Sequence, residues 1–289
     1  MALPTLAPPV APPLIVTARP RQWIKNILVF AAPLAAGVFV EPASFVALAS
    51  FIMASAATYF INDATDVEAD RRHPVKSRRP VAAGTVTVRA ARLTGIGLAT
   101  TSLLTALLAG PALLGCVAAY LSLTFAYSGW LKRIAVLDIL AVAGGFLLRT
   151  IGGAVAARVP MSSWFLLTAL LGALFLVTGK RLGELRRDDS GRAVLAAYSL
   201  PWLQQTLTMT LTGTTIAYAC WAFAFSGGDA SLPLLELSLV PFLAGLLRYS
   251  LLVARGAGEA PGDLLATDRF LLVSGGAWAV MTTAAIYFG

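Results

Sequence analysis

Ile61-Asn-Asp-Ala-Thr-Asp-Val-Glu-Ala-Asp70 stands where a long apolar run gives way to the basic stretch Arg71-Arg-His-Pro-Val-Lys-Ser-Arg-Arg-Pro80. A helix turns about 100° per residue, so Asn62, Asp63, Asp66 and Asp70 would share one arc of roughly 100°, with Glu68 on the other side. Three carboxylates and an amide then converge on one spot. Like charges held so close repel. Hard oxygen ligands of this kind suit Mg²⁺, which keeps several waters and bridges to substrate phosphates. The competing reading is a solvated acidic helix end, and carboxylates placed directly after an apolar span weigh against it. The stretch predicts a seat for a metal-bound diphosphate at a membrane surface.

Composition sets the class around that stretch. The 289 residues are 58% hydrophobic and 12% charged, with a mean hydropathy of +0.78, which excludes an ordinary soluble domain. Apolar runs long enough to cross a bilayer, about 17 to 25 residues, recur nine times, at roughly 26–40, 43–61, 93–109, 111–127, 134–157, 162–179, 205–226, 232–253 and 270–288. The expected fold is all-α: a polytopic membrane protein of nine transmembrane helices around a central cavity. Of the 22 Lys and Arg, only Arg149 and Arg158 fall away from loops that alternate crossings place on one side. The positive-inside rule makes that side cytoplasmic. The N-terminus and the Asp cluster then face the cytoplasm, with the C-terminus outside, in the cell (plasma) membrane.

The net charge of +8 is gathered at one membrane face, so it signals anionic headgroups and substrates, with no nucleic acid as partner. Residues 1–18, rich in Ala and Pro at their start, read as a flexible tail without the basic beginning of a cleaved signal. Residues 19–289 read as one domain. Cys116 and Cys220 lie inside apolar runs and read as packing residues.

A second polar cluster follows the sixth run. Lys180, Arg181, Glu184 and Arg187 repeat at helical spacing, and cations of this kind hold phosphate by charge-assisted hydrogen bonds. A loop that only sets topology is the alternative. Between the two clusters, Pro74 and Pro80 stop helices, and Lys76, Arg78 and Arg79 could fold over a bound diphosphate as a lid. His73 reads as local structure. Arg149 is the one basic residue deep in an apolar run; it faces the bundle interior, where it either grips a ligand phosphate or neutralises a structural carboxylate. Asp138 lies about 16 Å away along the same helix, too far to pair with it, and is expected to line the cytoplasmic mouth. Tyr127 and Lys132 flank the end of the fourth run, Tyr127 as an interfacial anchor or as a ligand contact. Gly144, Gly145, Gly152 and Gly153 would let helices approach closely.

These residues carry a resemblance. Asn62-Asp-x-x-Asp66-x-x-x-Asp70 after the second of nine spans resembles the first signature of the UbiA-type intramembrane prenyltransferase superfamily. Within it the chain is similar to the decaprenyl-phosphate phosphoribosyltransferases of actinobacterial cell-wall synthesis. The similarity lies in Arg19-Pro-Arg-Gln-Trp-Ile-Lys-Asn26, Asp66-Val-Glu-Ala-Asp70, His73-Pro74, Arg79-Pro-Val-Ala-Ala-Gly84, Trp164-Phe-Leu-Leu167, Gly179-Lys-Arg181 with Glu184-Leu185, and Trp221-Ala-Phe223.

The resemblance implies transfer of 5-phosphoribose from soluble 5-phosphoribosyl 1-diphosphate to a polyprenyl phosphate, releasing diphosphate, in making an arabinan precursor. It implies that Asn62, Asp63, Asp66 and Asp70 hold Mg²⁺ and the donor diphosphate, and that Lys76, Arg78 and Arg79 close on phosphates. Lys180, Arg181, Glu184 and Arg187 would meet the ribose phosphate. The lipid phosphate would lie near Lys25 and Arg149. It also implies a cavity open to the cytoplasm and laterally to lipid, with membrane lipids as neighbours; a homo-oligomer is left open. Users of prenyl diphosphates carry a second Asp-rich motif after the sixth span, whereas this chain has Lys180-Arg-Leu-Gly-Glu184 there. That argues against an aromatic prenyltransferase. A transporter of an anionic metabolite would place polar residues near the midplane in both halves, and here nearly all carboxylates gather at one surface.

Overall fold

The computed structural model describes residues 12–38, 41–187, 192–225, 233–258 and 261–288, and among them every regular element is helical. In chain order these are α1 (Pro13–Ala18), a 3₁₀ helix (Pro20–Phe30), α2 (Ala31–Ala35), α3 (Pro42–Thr65), α4 (Val67–Arg72), α5 (Val88–Leu107), α6 (Pro111–Gly129), α7 (Leu137–Ala156), α8 (Ser163–Arg187), α9 (Leu200–Phe225), α10 (Leu234–Leu237), α11 (Leu239–Ala254), α12 (Pro261–Thr267) and α13 (Arg269–Phe288). Among the described residues, seven helices are long and apolar enough to cross a membrane: α3, α5, α6, α7, α8, α13, and α10 with α11 taken together.

The two remaining runs behave differently. α9 has the length, 26 residues, but Gln204, Gln205 and a series of threonines dilute its apolar character. Helical threonines keep their hydroxyls satisfied internally; Thr206, Thr210 and Thr214 donate to the carbonyls of Trp202, Thr206 and Thr210 at 2.8, 2.8 and 2.6 Å. The run expected at 26–40 is no regular α-helix. Its first five residues end a 3₁₀ helix of 11 residues that begins at Pro20, a helix that rises about 2.0 Å per residue and is rare at this length; α2 follows, and residues 39 and 40 lie outside the described residues. A tertiary contact accompanies the departure. A Cβ on Gly153 of α7 would stand 1.7 Å from the Val29 carbonyl oxygen, so the segment's backbone rests directly on α7. Residues 1–11 of the expected tail also lie outside the described residues, while 13–18 form α1, with Thr17 buried and donating to the Pro13 carbonyl at 2.9 Å.

Helices pack mainly against sequence neighbours: α3 on α5, α6 on α7, α7 on α8, α8 on α9, and α11 on α13. One core joins Phe51, Leu113, Val117, Tyr120 and Val29. Another joins Phe175, Leu182, Leu203, Tyr249 and Val253. Gly152 serves the first, since a Cβ there would meet the Phe51 ring at 2.4 Å; at Gly145 it would meet nothing closer than 3.6 Å. The ends of α3, α6, α7 and α8 that carry Asp63, Tyr127, Asp138 and Glu184 gather at one end of the bundle.

Candidate active site

At that end α3 stops at Thr65, and Asp66 leaves helical geometry (φ −90°, ψ 9°) before α4 begins at Val67. The break changes the expected convergence. Asp63 and Asp70 are both buried and share one guanidinium: Arg79 Nη1 lies 2.7 Å from Asp70 Oδ2 and 3.3 Å from Asp63 Oδ1. Arg19 adds a second contact to Asp63 at 2.6 Å while its guanidinium lies over the Tyr59 ring. Asp66 instead turns toward Lys132, at 3.6 Å, and Asn62 is half-buried. Two of the three carboxylates therefore face one another across a nitrogen cation, and the third is more open.

No trio of His, Cys, Asp and Glu among the described residues is arranged as a ready metal cage. The pair Asp63 and Asp70 nonetheless fits a divalent cation, because a positive nitrogen already bridges their oxygens and hard carboxylate oxygens are what Mg²⁺ takes. The loop that supplies Arg79 is tied down locally. His73 Nδ1 accepts the amides of Val75 and Lys76 at 3.2 and 3.4 Å, and Arg71 Nε donates to the Ala82 carbonyl at 3.2 Å. Lys76 is half-buried in a short 3₁₀ turn that ends at Arg78, which is exposed. His73 thus shapes a turn, as its place beside Pro74 suggests.

The second cluster is a brace. Arg181 is 1% exposed and donates to Asp138 Oδ2 (2.6 Å), Glu184 Oε2 (2.7 Å) and the Tyr127 hydroxyl (3.2 Å). Asp138, 0% exposed, does not line a mouth; it also accepts from the Tyr198 hydroxyl, which takes the Val136 amide at 2.7 Å. Burial and the hydrogen bond to Asp138 push the Tyr198 phenol well above its ordinary pKa. Lys180 and Arg192 approach Glu184 at 3.8 and 3.5 Å, and Arg192 donates to Tyr127 at 3.1 Å. Tyr127 therefore joins the network, and Arg187 lies exposed at the end of α8. Contrary to the phosphate grip that spacing suggests for Arg181 and the mouth position it suggests for Asp138, two carboxylates neutralise Arg181, so its charge is committed to joining α7 and α8.

Arg149 is the reverse case. Buried to 7% exposure, it donates from Nε to Asn26 Oδ1 (2.7 Å), from Nη1 to the Gly145 carbonyl (2.7 Å), and from Nη2 to Tyr120 (2.8 Å) and Ser55 (3.1 Å), with its guanidinium over the Tyr120 ring. Every partner among the described residues is neutral, so there Arg149 neutralises no carboxylate. Lys25 stands next to Asn26, accessible to solvent yet flanked by protein. Burial lowers its pKa to about 8, with the Lys180, Arg149 and Arg19 charges adding to the effect. A lysine crowded by three cations in this way leaves a deficit of negative charge. Asn26, Ser55, Tyr120, Tyr198, Arg19 and Arg192 were not singled out as site residues from sequence. The available signal was the isolation of Asn26, Ser55 and Tyr120 as polar groups in apolar runs. Two cavities, of about 450 and 480 Å³, lie at the other end of the bundle, one beside Phe165 and Trp221 and one beside Glu41 and Arg158.

Residues 27–285 match the UbiA prenyltransferase family. A protein of Mycobacterium tuberculosis named decaprenyl-phosphate phosphoribosyltransferase is 40% identical over 283 residues, spanning 94% of this chain and 93% of its own length. One of the same name from Corynebacterium glutamicum is 39% identical over 286 residues, spanning 93% of this chain and 85% of its own. The solved structure of a UbiA homologue from Archaeoglobus fulgidus bound to GPP and Mg²⁺ superposes with a TM-score of 0.74 over 95% of this chain and 99% of that one, at 19% identity.

Proposed function

The chain belongs to the UbiA prenyltransferase family, and from that premise we propose that it transfers 5-phosphoribose from 5-phosphoribosyl 1-diphosphate to a polyprenyl phosphate, decaprenyl phosphate in the names of its relatives. The supporting observation is the unequal chemistry of the two clusters. Asp63 and Asp70 form the carboxylate pair, whereas among the described residues the two acids at the α8 cluster, Asp138 and Glu184, are both engaged by Arg181, with Lys180 and Arg192 beside them. A prenyl-diphosphate user with two metal seats needs acids at both; a sugar phosphate needs cations at one.

Asp63 and Asp70, with Asn62 and Asp66 near, would hold Mg²⁺, which when bound neutralises charge on the donor diphosphate. Arg79 and Arg19, released from the carboxylates, then turn to the diphosphate oxygens, with Lys76 and Arg78 closing from the loop. Lys180 and Arg187 meet the ribose 5-phosphate, while Arg181 and Glu184 hold α8 in place beneath them. Lys25 and Arg149 receive the acceptor's phosphate. An acceptor oxygen forms the new bond to C1 of ribose as the bond from C1 to the diphosphate breaks, through an oxocarbenium-like state. The attacking phosphate is already ionised, so no general base is required; the cations stabilise the departing diphosphate.

The wider frame follows the same reading. Nine crossings, counting α9 and the run that begins at Asn26, surround a cavity open to cytoplasm and lipid in the plasma membrane, with the N-terminus inside, and the product feeds arabinan assembly. Detergent-purified protein is incubated with decaprenyl phosphate and labelled phosphoribosyl diphosphate or, separately, labelled farnesyl or geranylgeranyl diphosphate. Label should enter the lipid phase from phosphoribosyl diphosphate alone; transfer of a labelled prenyl group to an aromatic acceptor instead would overturn the assignment.

A further inference from the structure

Arg149 presents a physical anomaly. A buried guanidinium without a counter-charge is costly, and Arg181 in the same bundle has two carboxylates. Among the described residues no carboxylate lies within ion-pair distance of Arg149; the oxygens that hold it belong to an amide, a serine, a tyrosine and a backbone carbonyl. The centre of that frame is Asn26. It is 0% exposed, and its Oδ1 accepts from both Arg149 Nε at 2.7 Å and the Ser55 hydroxyl at 3.1 Å, while its Nδ2 is buried without a partner. An aspartate has the same size and would pair with Arg149 as Asp138 pairs with Arg181. The amide orients the guanidinium equally well and leaves its charge whole.

We propose that Asn26 is a positioning residue: it fixes Arg149 through neutral oxygens, so that the full positive charge remains for the acceptor's phosphate. This rests on the reading of Arg149 as part of the acceptor seat. Asn26 touches neither substrate in this arrangement and acts through Arg149 alone. Ser55 and Tyr120 complete the frame from α3 and α6, and Lys25, one residue before Asn26, adds the second charge.

The test is Asn26→Asp, with Arg149→Gln and the wild-type protein measured alongside for donor KM, acceptor KM and thermal midpoint in one detergent. Neutralising Arg149 in place should raise the acceptor KM about tenfold or more, the loss of one charge-assisted contact, with donor KM within about twofold and the thermal midpoint equal or higher. Asn26→Ser, which keeps a neutral acceptor oxygen, should recover much of the acceptor affinity. Unchanged acceptor KM in Asn26→Asp would overturn the proposal. So would loss of folded Asn26→Asp protein, because the amide would then be a structural requirement. If wild type transfers no phosphoribose, or Arg149→Gln leaves acceptor KM unchanged, the underlying reading fails; if both behave as expected and only Asn26→Asp is silent, the positioning role fails alone.

Discussion

Asp138→Asn separates a brace from a substrate contact. Position alone puts Asp138 at the mouth of the site, where losing its charge should weaken donor binding. The geometry gives a different outcome, because Asp138 is fully buried and spends its oxygens on Arg181 Nε at 2.6 Å and on Tyr198. With asparagine there, Arg181 keeps only Glu184, which Lys180 and Arg192 also approach. Breaking a buried pair by removing one partner costs about 3–5 kcal/mol, and the remaining carboxylate sets the expectation near the lower end, about 3 kcal/mol. For a chain of this size that lowers the thermal midpoint by roughly 5–10 °C. The assay is thermal inactivation of detergent-purified protein, with donor and acceptor KM measured well below the midpoint. Both KM values should stay within about twofold of wild type, and adding Arg181→Gln should restore part of the loss, since the stranded charge is then gone. An unchanged midpoint together with a donor KM raised about tenfold would refute the brace and return Asp138 to the substrate.

Lys25 carries a pH signature: its pKa of about 8 lies below the ordinary lysine value, so acceptor KM should climb as pH rises through 8 and the ammonium is lost. Lys25→Arg, which stays charged, should flatten that profile. Gly153→Ala should fail to accumulate, because its methyl would enter the Val29 carbonyl and neither backbone can yield; Gly97→Ala, with open space at that Cβ, should be neutral or slightly stabilising by about 0.5–1 kcal/mol. Chelation should abolish turnover and Mg²⁺ restore it, with Asp63→Asn and Asp70→Asn more damaging than Asp66→Asn, which faces Lys132; turnover by Asp70→Asn in excess EDTA would sink the metal assignment. Arg79→Gln should lower the Mg²⁺ concentration needed for half-maximal rate while raising donor KM, since Arg79 competes for the same two carboxylates.

Much of the fold was legible because membrane helices are written in length and apolarity, and the seven clearest spans follow from those two properties alone. The 3₁₀ segment was not. Residues 26–30 are as apolar as their neighbours, and what accompanies their 3₁₀ geometry is a backbone contact of Val29 with Gly153, far away in sequence. The Asp66 break was hidden for a related reason: carboxylate spacing reads as one helix unless the chain is seen to turn. What spacing did settle was negative. Asp138 and Arg149 were too far apart on one helix to pair, and they do not; each finds partners from other helices.

Arg149 and Arg181 show where reading residues one by one must stop. Both are buried arginines on apolar helices, and from sequence both suggested a phosphate grip. The difference lies in what faces them: Arg181 meets Asp138 and Glu184, so its charge is consumed by the fold, while Arg149 meets Asn26, Ser55 and Tyr120, so its charge is oriented and unspent. The same test sorts the other cations. Arg79 holds Asp63 and Asp70, and Arg19 holds Asp63; on the proposed function those carboxylates would hold Mg²⁺, and the two guanidiniums would then meet the diphosphate. Lys25, pressed by three neighbouring cations, gains by any anion at all. Two cations without a carboxylate partner among the described residues, Lys25 and Arg149, beside a carboxylate pair whose hard oxygens would suit Mg²⁺, support the proposed reaction between two phosphorylated substrates, one of which brings a diphosphate as its leaving group.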